Sequence, residues 1–383
     1  MTTTPAKRPE TGQDHMQPAI TSSTAEPAAL VPPASSAPRG RHVSSYAELS
    51  QLIRAAGLLR RRYGYYWTLM LTTVAAFAGI WVGFVLLGDS WYQLLLAAAL
   101  AVVLAQFGFI GHEGAHRQIF ASHRWNEWTA RVISGLFTGL SYGWWMRKHN
   151  RHHANPNKIG ADPDIGPGVV AFTPGVVEQR SGVAGWFARR QGRFFFPLLL
   201  LEGLALHVAS IQTLVRREKL KHRWVEAVFM AVRLGGYVAA LLIVLPPGKA
   251  AAFFAIQMGL FGVLLGGVFA PNHKGMPIVP ATMKIDFLQR QVLMSRNIAG
   301  GWFTDLAMGG LNLQVEHHLF PNMPRPNLRR AQPIVREFCE RHHIPYTETG
   351  LIKSYKIVVD YLNNVGLRAR DPFHCPITAQ YRV

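Results

Sequence analysis

Paired stretches without charge constrain the fold of this chain more than any other feature. Residues 67–88 contain no Asp, Glu, Lys or Arg, and residues 91–111 form a second such run after a short polar turn. A helix of 22 residues at about 1.5 Å per residue is long enough to cross the roughly 30 Å hydrocarbon core of a bilayer. Two further apolar stretches, 224–245 and 250–270, are separated by four residues. The pattern predicts an all-α, polytopic membrane protein with four transmembrane helices in two hairpins.

One more apolar segment is less regular. Residues 194–215 are interrupted by a proline, a glutamate and a histidine, so we expect this segment to lie at the membrane interface or to be re-entrant. The third span carries two charges of its own. Glu226 lies near its end and is expected to reach the headgroups, whereas Arg233 is expected to face protein or water.

The flanking segments divide the chain. Residues 1–43 are rich in Pro, Ala, Ser and Thr without apolar periodicity, so a disordered lead is expected there. Residues 44–346 hold the spans and the polar segments between them as one membrane domain. Residues 347–383 are expected to form a helical tail.

The distribution of positive charge predicts the orientation in the membrane. The net charge is +19, and 37 of the 40 Lys and Arg residues fall in the three segments on one side of the predicted hairpins. Because positive residues concentrate on the cytoplasmic side, both termini and these segments are expected to be cytoplasmic. The excess charge is thus explained by topology and anionic headgroups, and no nucleic-acid-binding motif accompanies it.

Half of the 16 histidines concentrate in four places on that same side. They are His112 and His116, then His149, His152 and His153, then His273, and finally His317 and His318. Spacings of three and four residues place side chains on one face of a helix. Imidazole is a good ligand for iron, zinc or copper, and eight histidines exceed what one tetrahedral zinc needs. The pattern therefore indicates a site for two metal ions.

The sequence around these histidines is specific. It reads GHEGAHR, WWMRKHNRHHANPN, NHKGM and LNLQVEHHLFPNMPRPNL. Over about residues 46–346 the chain resembles the membrane fatty acid desaturases with three histidine boxes, in particular the front-end, linoleoyl-CoA desaturase-like branch whose third box begins with glutamine. The resemblance implies a stem of four transmembrane helices and a cytosolic helical cap that holds a non-haem di-iron centre.

The resemblance also implies residue roles. The iron ligands would be His112, His116, His149, His152, His153, His273, His317 and His318. Gln314, the first residue of the third box, is a candidate for a weaker metal contact. The carboxylates near the boxes are candidate acceptors that orient imidazole N–H groups, namely Asp162, Asp164, Glu113 and Glu316. Aromatic residues near the boxes are candidates to line an acyl tunnel, namely Trp144, Trp145, Trp302 and Phe303.

The implied reaction is O2-dependent insertion of a cis double bond into a fatty acyl chain carried by CoA or by a lipid, with two iron ions as cofactor. Desaturases of this branch commonly carry a fused cytochrome b5 domain with a His-Pro-Gly-Gly motif, which does not occur in this sequence. Electrons are therefore expected from a separate ferredoxin or cytochrome b5-like carrier with its reductase.

Three alternatives remain open. A hydroxylase or ketolase of the same superfamily would use the same residues. The sequence His-Glu-Gly-Ala-His at 112–116 also fits an intramembrane zinc metalloprotease, which would need one zinc and would leave the other boxes unexplained. A metal sensor or transporter would be expected to carry histidines within its spans, and the four predicted spans contain none.

Overall fold

The structure, a computed structural model, describes residues 39–216 and 219–367, with side chains from 45 to 216 and from 219 to 365. The described chain is mainly helical, with one two-stranded sheet. The helices are α1 (Arg39–Ala55), α2 (Tyr63–Leu87), α3 (Gln93–Ala115), α4 (His123–Val132), α5 (Tyr142–Ala154), α6 (Pro174–Glu178), α7 (Gly182–Ala188), α8 (Phe195–Val215), α9 (Arg223–Val244), α10 (Pro247–His273), α11 (Phe287–Leu293), α12 (Trp302–Ala307), α13 (Gln314–Leu319), α14 (Arg325–Arg341) and α15 (Leu351–Leu367). The strands are β1 (Asn297–Ala299) and β2 (Glu348–Gly350).

The ends of the chain lie partly outside this range. Helix α1 begins at Arg39, so helical structure starts within the predicted lead, whose remaining residues are outside the described part. Helix α15 occupies the first half of the predicted C-terminal tail, and residues 368–383 are outside the described part.

Five helices are long and apolar enough to cross a membrane, namely α2, α3, α8, α9 and α10. Four of them coincide with the predicted spans. The fifth, α8, is one continuous helix despite its proline, glutamate and histidine, and its expected position at the interface or as a re-entrant segment stays a prediction. Pro197 lies in the first turn, where a backbone N–H has no partner within the helix. The ring of His207 lies within hydrogen-bonding distance of the carbonyl oxygens of Gly203 (2.6 Å) and Thr138 (3.0 Å), so its polarity is accommodated within the protein.

Close backbone contact holds α8 against α10. A Cβ atom on Gly262 would lie 2.4 Å from the carbonyl oxygen of Leu199, and one on Gly203 would lie 2.6 Å from that of Met258. Glycine is therefore required at both positions for the two helices to pack this closely. This contact fixes the middle of α10, whose last residue is His273.

The two charges of α9 are both covered by protein. Glu226 is fully buried rather than directed to the headgroups, because it accepts hydrogen bonds from Ser141 Oγ (2.6 Å) and Gly143 N (3.2 Å). The expectation for Glu226 is therefore wrong. Arg233 faces protein as expected, since its Nε donates to the carbonyl oxygen of Phe137 at 2.7 Å.

Both helical hairpins direct their second helix toward the same end of the molecule. Short links connect α2 to α3 and α9 to α10, and the histidines of α3 and α10 lie at the C-terminal ends of these helices. Beyond these ends, α1, α11, α13 and α14 share an apolar core that includes Leu49, Leu288 and Leu319. Parallel pairing of Asn297 with Glu348 adds a short sheet. The shared core includes residues of α13, the helix that carries His317 and His318.

Candidate metal centre

The first pair of histidines is fixed by the way in which α3 ends. His112 lies in the last turn and His116 is the C-cap. The next two residues close a Schellman motif, in which Arg117 N donates to Gly114 O (3.0 Å) and Gln118 N donates to Glu113 O (2.9 Å). The imidazoles of the pair meet with ring centroids 4.6 Å apart.

The second cluster lies on α5, which begins with a capped N-terminus. Ser141 Oγ accepts from Trp144 N at 3.2 Å, and the buried carboxylate of Glu226 accepts from Gly143 N. Negative charge at a helix N-terminus is stabilising. Helix α5 then presents His149, His152 and His153 from its last turns toward α3 and α13.

The eight histidines form two adjacent groups. The ligand atoms of each group lie within 4.8 Å of one another, close to the roughly 4.2 Å that two opposite metal–nitrogen bonds of about 2.1 Å span. The larger group holds His112, His116, His149, His153 and His317, and the smaller group holds His152, His273 and His318. The rings of His153 and His318 stack with centroids 4.2 Å apart, so the two groups are neighbours.

The smaller group has its lone pairs directed inward. His152 Nδ1 lies 3.1 Å from both carboxylate oxygens of Asp162, and His273 Nδ1 lies 2.9 Å from the carbonyl oxygen of Met294. Both partners are acceptors, so each Nδ1 carries the proton and each Nε2 carries a lone pair. These two Nε2 atoms are only 3.3 Å apart. Two lone pairs at this distance repel each other unless a cation binds them, so the residues fit a metal ion.

Several other ring nitrogens are buried without a hydrogen-bond partner among the described residues. They are Nε2 of His112, His317 and His318, and both nitrogens of His153. Buried polar atoms of this kind are costly and call for an explanation. Coordination of a metal ion would supply the missing partner, so the larger group fits a metal ion as well.

Enclosure by protein keeps these imidazoles neutral. The pKa of His116 is lowered to about 3 by burial. Burial and the neighbouring imidazoles also hold the pKa values of His149, His153, His317 and His318 well below 6.5. Neutral imidazole is the form that binds metal, so the groups are ready for coordination at neutral pH.

Two of the four candidate carboxylates reach an imidazole. Asp162 and Asp164 both approach His152 Nδ1, the latter at 3.4 Å. Burial alone would raise the pKa of Asp162, but the hydrogen bond from His152 and the nearby positive charge, including that of Lys274, together outweigh burial and lower the pKa. Asp164 also pairs with Lys148 at 2.7 Å. The segment after α5 thus orients His152 through an ionised carboxylate.

The carboxylates inside the boxes bond other groups. Glu113 is buried and pairs with Arg325 of α14. Glu316 is fully buried and accepts from Asn297 Nδ2 and Tyr346 Oη, both at 2.7 Å. The structure therefore places these two carboxylates where they join helices and strands around the site, and it does not bring them to an imidazole.

Gln314 lies beside the smaller group. Its Nε2 is 2.9 Å from His273 Nε2, and its Oε1 accepts from Asn272 Nδ2 at 3.1 Å. In this orientation the amide donates a hydrogen bond at the site. Coordination would require the amide oxygen in place of the nitrogen.

Sequence reasoning missed several groups that support the histidines. Gln291 Oε1 accepts from His318 Nδ1 and Gln291 Nε2 donates to the carbonyl oxygen of His153, both at 2.9 Å. The backbone carbonyl of Met294 orients His273. Neither residue lies in a box, and a backbone acceptor leaves no signal in a sequence.

The aromatic candidates have different environments. Trp145 stacks on His149 with centroids 4.2 Å apart, so it supports a histidine of the larger group. Trp302 and Phe303, in contrast, are 77% and 68% exposed on α12 and do not enclose a tunnel.

Comparison with known proteins agrees with the geometry. The family model for the fatty acid desaturases matches residues 89–350. An acyl-lipid (9-3)-desaturase of Physcomitrium patens is 30% identical over 86% of this chain and 64% of its own length. The Delta(6)-fatty-acid desaturase fat-3 of Caenorhabditis elegans is 28% identical over 85% of this chain and 75% of its own length. A Delta(8)-fatty-acid desaturase of Helianthus annuus is 25% identical over 85% of this chain and 74% of its own length. This chain spans less than two thirds of the length of the Physcomitrium protein. The chain belongs to the fatty acid desaturase family.

Proposed function

We propose that the protein is an O2-dependent fatty acyl desaturase that inserts a cis double bond into a chain carried by CoA or by a lipid. The observation that carries the proposal is the convergence of eight imidazoles from four segments into two adjacent groups whose geometry fits two metal ions. The names of the relatives support the choice of a fatty acyl substrate.

Two iron ions bound there would supply the activation of O2 that removal of hydrogen from an unactivated methylene requires, since no amino-acid side chain provides it. The overall reaction takes two hydrogens from adjacent carbons and combines them with O2, two electrons and two protons to give two molecules of water. We infer that a ferredoxin or a cytochrome b5-like protein with its reductase delivers the electrons.

The protein's own residues would hold and orient this centre. The five imidazoles of the larger group would bind one iron, and His152, His273 and His318 would bind the other. Asp162 would fix the ring of His152, and Gln314 would lie beside the second iron. Acceptor partners on Nδ1 fix the ring orientation and make an imidazole a better ligand.

We further propose that four of the five apolar helices cross the membrane and that α8 lies at the membrane interface. Phe196, at the start of α8, contacts Tyr355, whose hydroxyl donates to Gly267 O in the C-terminal part of α10. At its other end, Leu214 O accepts from Arg223 at the start of α9. Both ends of α8 are thus tied to the end of the bundle that carries the histidines. With the positive charge concentrated there, that side is the cytoplasmic one.

The metalloprotease alternative has less support. Its general base would be Glu113, which is held by Arg325 and lies buried beside α14. A single zinc would also leave most of the eight imidazoles without a role.

Expression in a host that lacks desaturases tests the proposal. Mass spectrometry of derivatised fatty acids should show a new cis double bond, and the His152→Ala variant should give none. Hydroxylated chains would instead favour the hydroxylase alternative. Unchanged fatty acids in cells that contain folded, iron-loaded protein and a matching electron carrier would overturn the proposal.

A further inference from the structure

A cavity of about 480 Å³ opens beside the larger histidine group. His116 forms part of its wall, so the cavity lies against a histidine of that group. Much of the remaining wall is basic or polar and includes Arg61, Arg117, His123 and Asn150. This composition indicates a polar or anionic occupant.

The backbone of Arg117 has a conformation that favours glycine. Arg117 has φ 60°, the left-handed conformation that favours glycine and costs free energy for other residues. It occupies the position of the Schellman motif at the end of α3 where glycine is usual. Glycine would suit this backbone better, so the arginine contributes something that glycine cannot.

Arg61 is fixed at the same cavity from another part of the chain. Its Nη1 donates to Gln118 O at 3.3 Å and to Asn322 O at 3.1 Å. These two carbonyls follow the first and the third histidine boxes, so the guanidinium bridges both segments. Among the described residues, neither Arg61 nor Arg117 pairs with a carboxylate. Two uncompensated cations at one cavity attract an anion.

We propose that this cavity binds the phosphate group of the acyl carrier, the chemistry that CoA and a phospholipid headgroup share. The proposal rests on the desaturase function proposed above and specifies how its substrate is held. Arginine is suited to phosphate because its planar guanidinium donates two parallel hydrogen bonds. Binding of the carrier here would hold the acyl chain by its carrier end, on the side of the larger histidine group where His116 lies.

The first test measures binding without turnover. Purified, metal-loaded protein in detergent is titrated calorimetrically with CoA and, separately, with glycerophosphocholine, which represent the two carriers without their chains. The variants are Arg117→Gly and Arg61→Gln, with Arg62→Gln as a matched control, since Arg62 is exposed and outside the cavity wall.

We expect one of the two probes to bind and thereby to identify the carrier. Arg117→Gly and Arg61→Gln should each raise the dissociation constant at least tenfold, while Arg62→Gln should change it less than twofold. Arg117→Gly should also keep or raise the melting temperature, because glycine relieves the backbone, so loss of binding cannot be attributed to misfolding. Absence of binding of either probe to the unchanged protein, or less than a twofold effect of both cavity variants, overturns the proposal.

A second test uses turnover with the carrier that binds. Both cavity variants should raise KM for the acyl substrate by a larger factor than they lower kcat, keep their iron, and spread the new double bond over neighbouring carbons. If KM rises only for the reduced electron carrier, the cavity is a docking face for that protein and the phosphate proposal is wrong. Because the binding test needs neither O2 nor electrons, its outcome is independent of whether the protein desaturates.

Discussion

His152 and His273 bring their Nε2 atoms to 3.3 Å from each other while an acceptor oxygen holds the Nδ1 of each ring. One histidine comes from α5 and the other from the end of α10, so the contact joins segments 121 residues apart. The arrangement brings two inward lone pairs close together, which a metal ion bound between them would stabilise. The variants below separate the contributions of the ligands, of the groups that orient them and of the surrounding ion pairs.

Replacement of Asp162 by asparagine tests the orientation of His152. Asp162→Asn removes the charge that holds the Nδ1 proton, and changes of this kind typically weaken metal affinity by about 10- to 100-fold. Competition with a chelator measures the affinity. Asp360→Asn is the control, since its exposed pair with Lys356 contributes only about 0–1 kcal/mol. Equal affinities in the two variants would contradict the assigned role.

The buried ion pair of Glu113 and Arg325 is expected to contribute to folding stability rather than to metal binding. Glu113→Gln leaves an uncompensated guanidinium inside the protein and should lower the free energy of unfolding by about 3–5 kcal/mol. Adding Arg325→Met should restore a large part of the lost free energy of unfolding, because both charges are then absent. The variant should keep its iron when it is purified without an unfolding step, since Glu113 contacts no imidazole. Unchanged stability together with loss of activity would instead indicate a general base, as in a metalloprotease.

Acid should destabilise the metal-free protein. The pKa values of His116, His149, His153, His317 and His318 are lowered in the folded chain. Below about pH 6.5 the unfolded chain therefore binds protons that the folded chain does not. Stability is lost as pH falls, by up to about 1.4 kcal/mol per pH unit for each such histidine.

Melting temperatures at pH 7.5 and pH 5.5 measure this effect. The difference between the two melting temperatures should be smaller in the double variant His149→Gln/His153→Gln, which removes two of the five buried imidazoles. Equal melting temperatures at the two pH values would show that these rings are not buried as neutral imidazoles.

Sequence alone was sufficient for the elements that depend on composition and spacing. Charge-free runs of about 20 residues identify apolar helices, and histidines at intervals of three and four residues identify the faces that carry them. The sequence could not show which histidines share a group. His152 and His153 are neighbours in one box, yet successive residues of α5 point in different directions, so the two side chains belong to different groups.

Long-range partners explain the remaining differences. Glu226 is buried because Ser141, Gly143 and Arg131 supply donors from a distant segment, and nothing near Glu226 in the sequence indicates them. Arg325 was not recognised because its partner lies 212 residues away. Charged residues in apolar helices are therefore interpreted correctly only when the packing of the other helices is known.

Metal analysis tests the central claim, that the histidines hold two metal ions in two groups. Purified protein should contain about two irons per chain, and His152→Ala should lose the iron of the smaller group and retain about one, since five ligands of the other remain. His343→Asn, a change at an exposed residue with a left-handed backbone that asparagine tolerates, should retain both. A single zinc per chain, or an iron content in His152→Ala equal to that of the unchanged protein, would contradict the account.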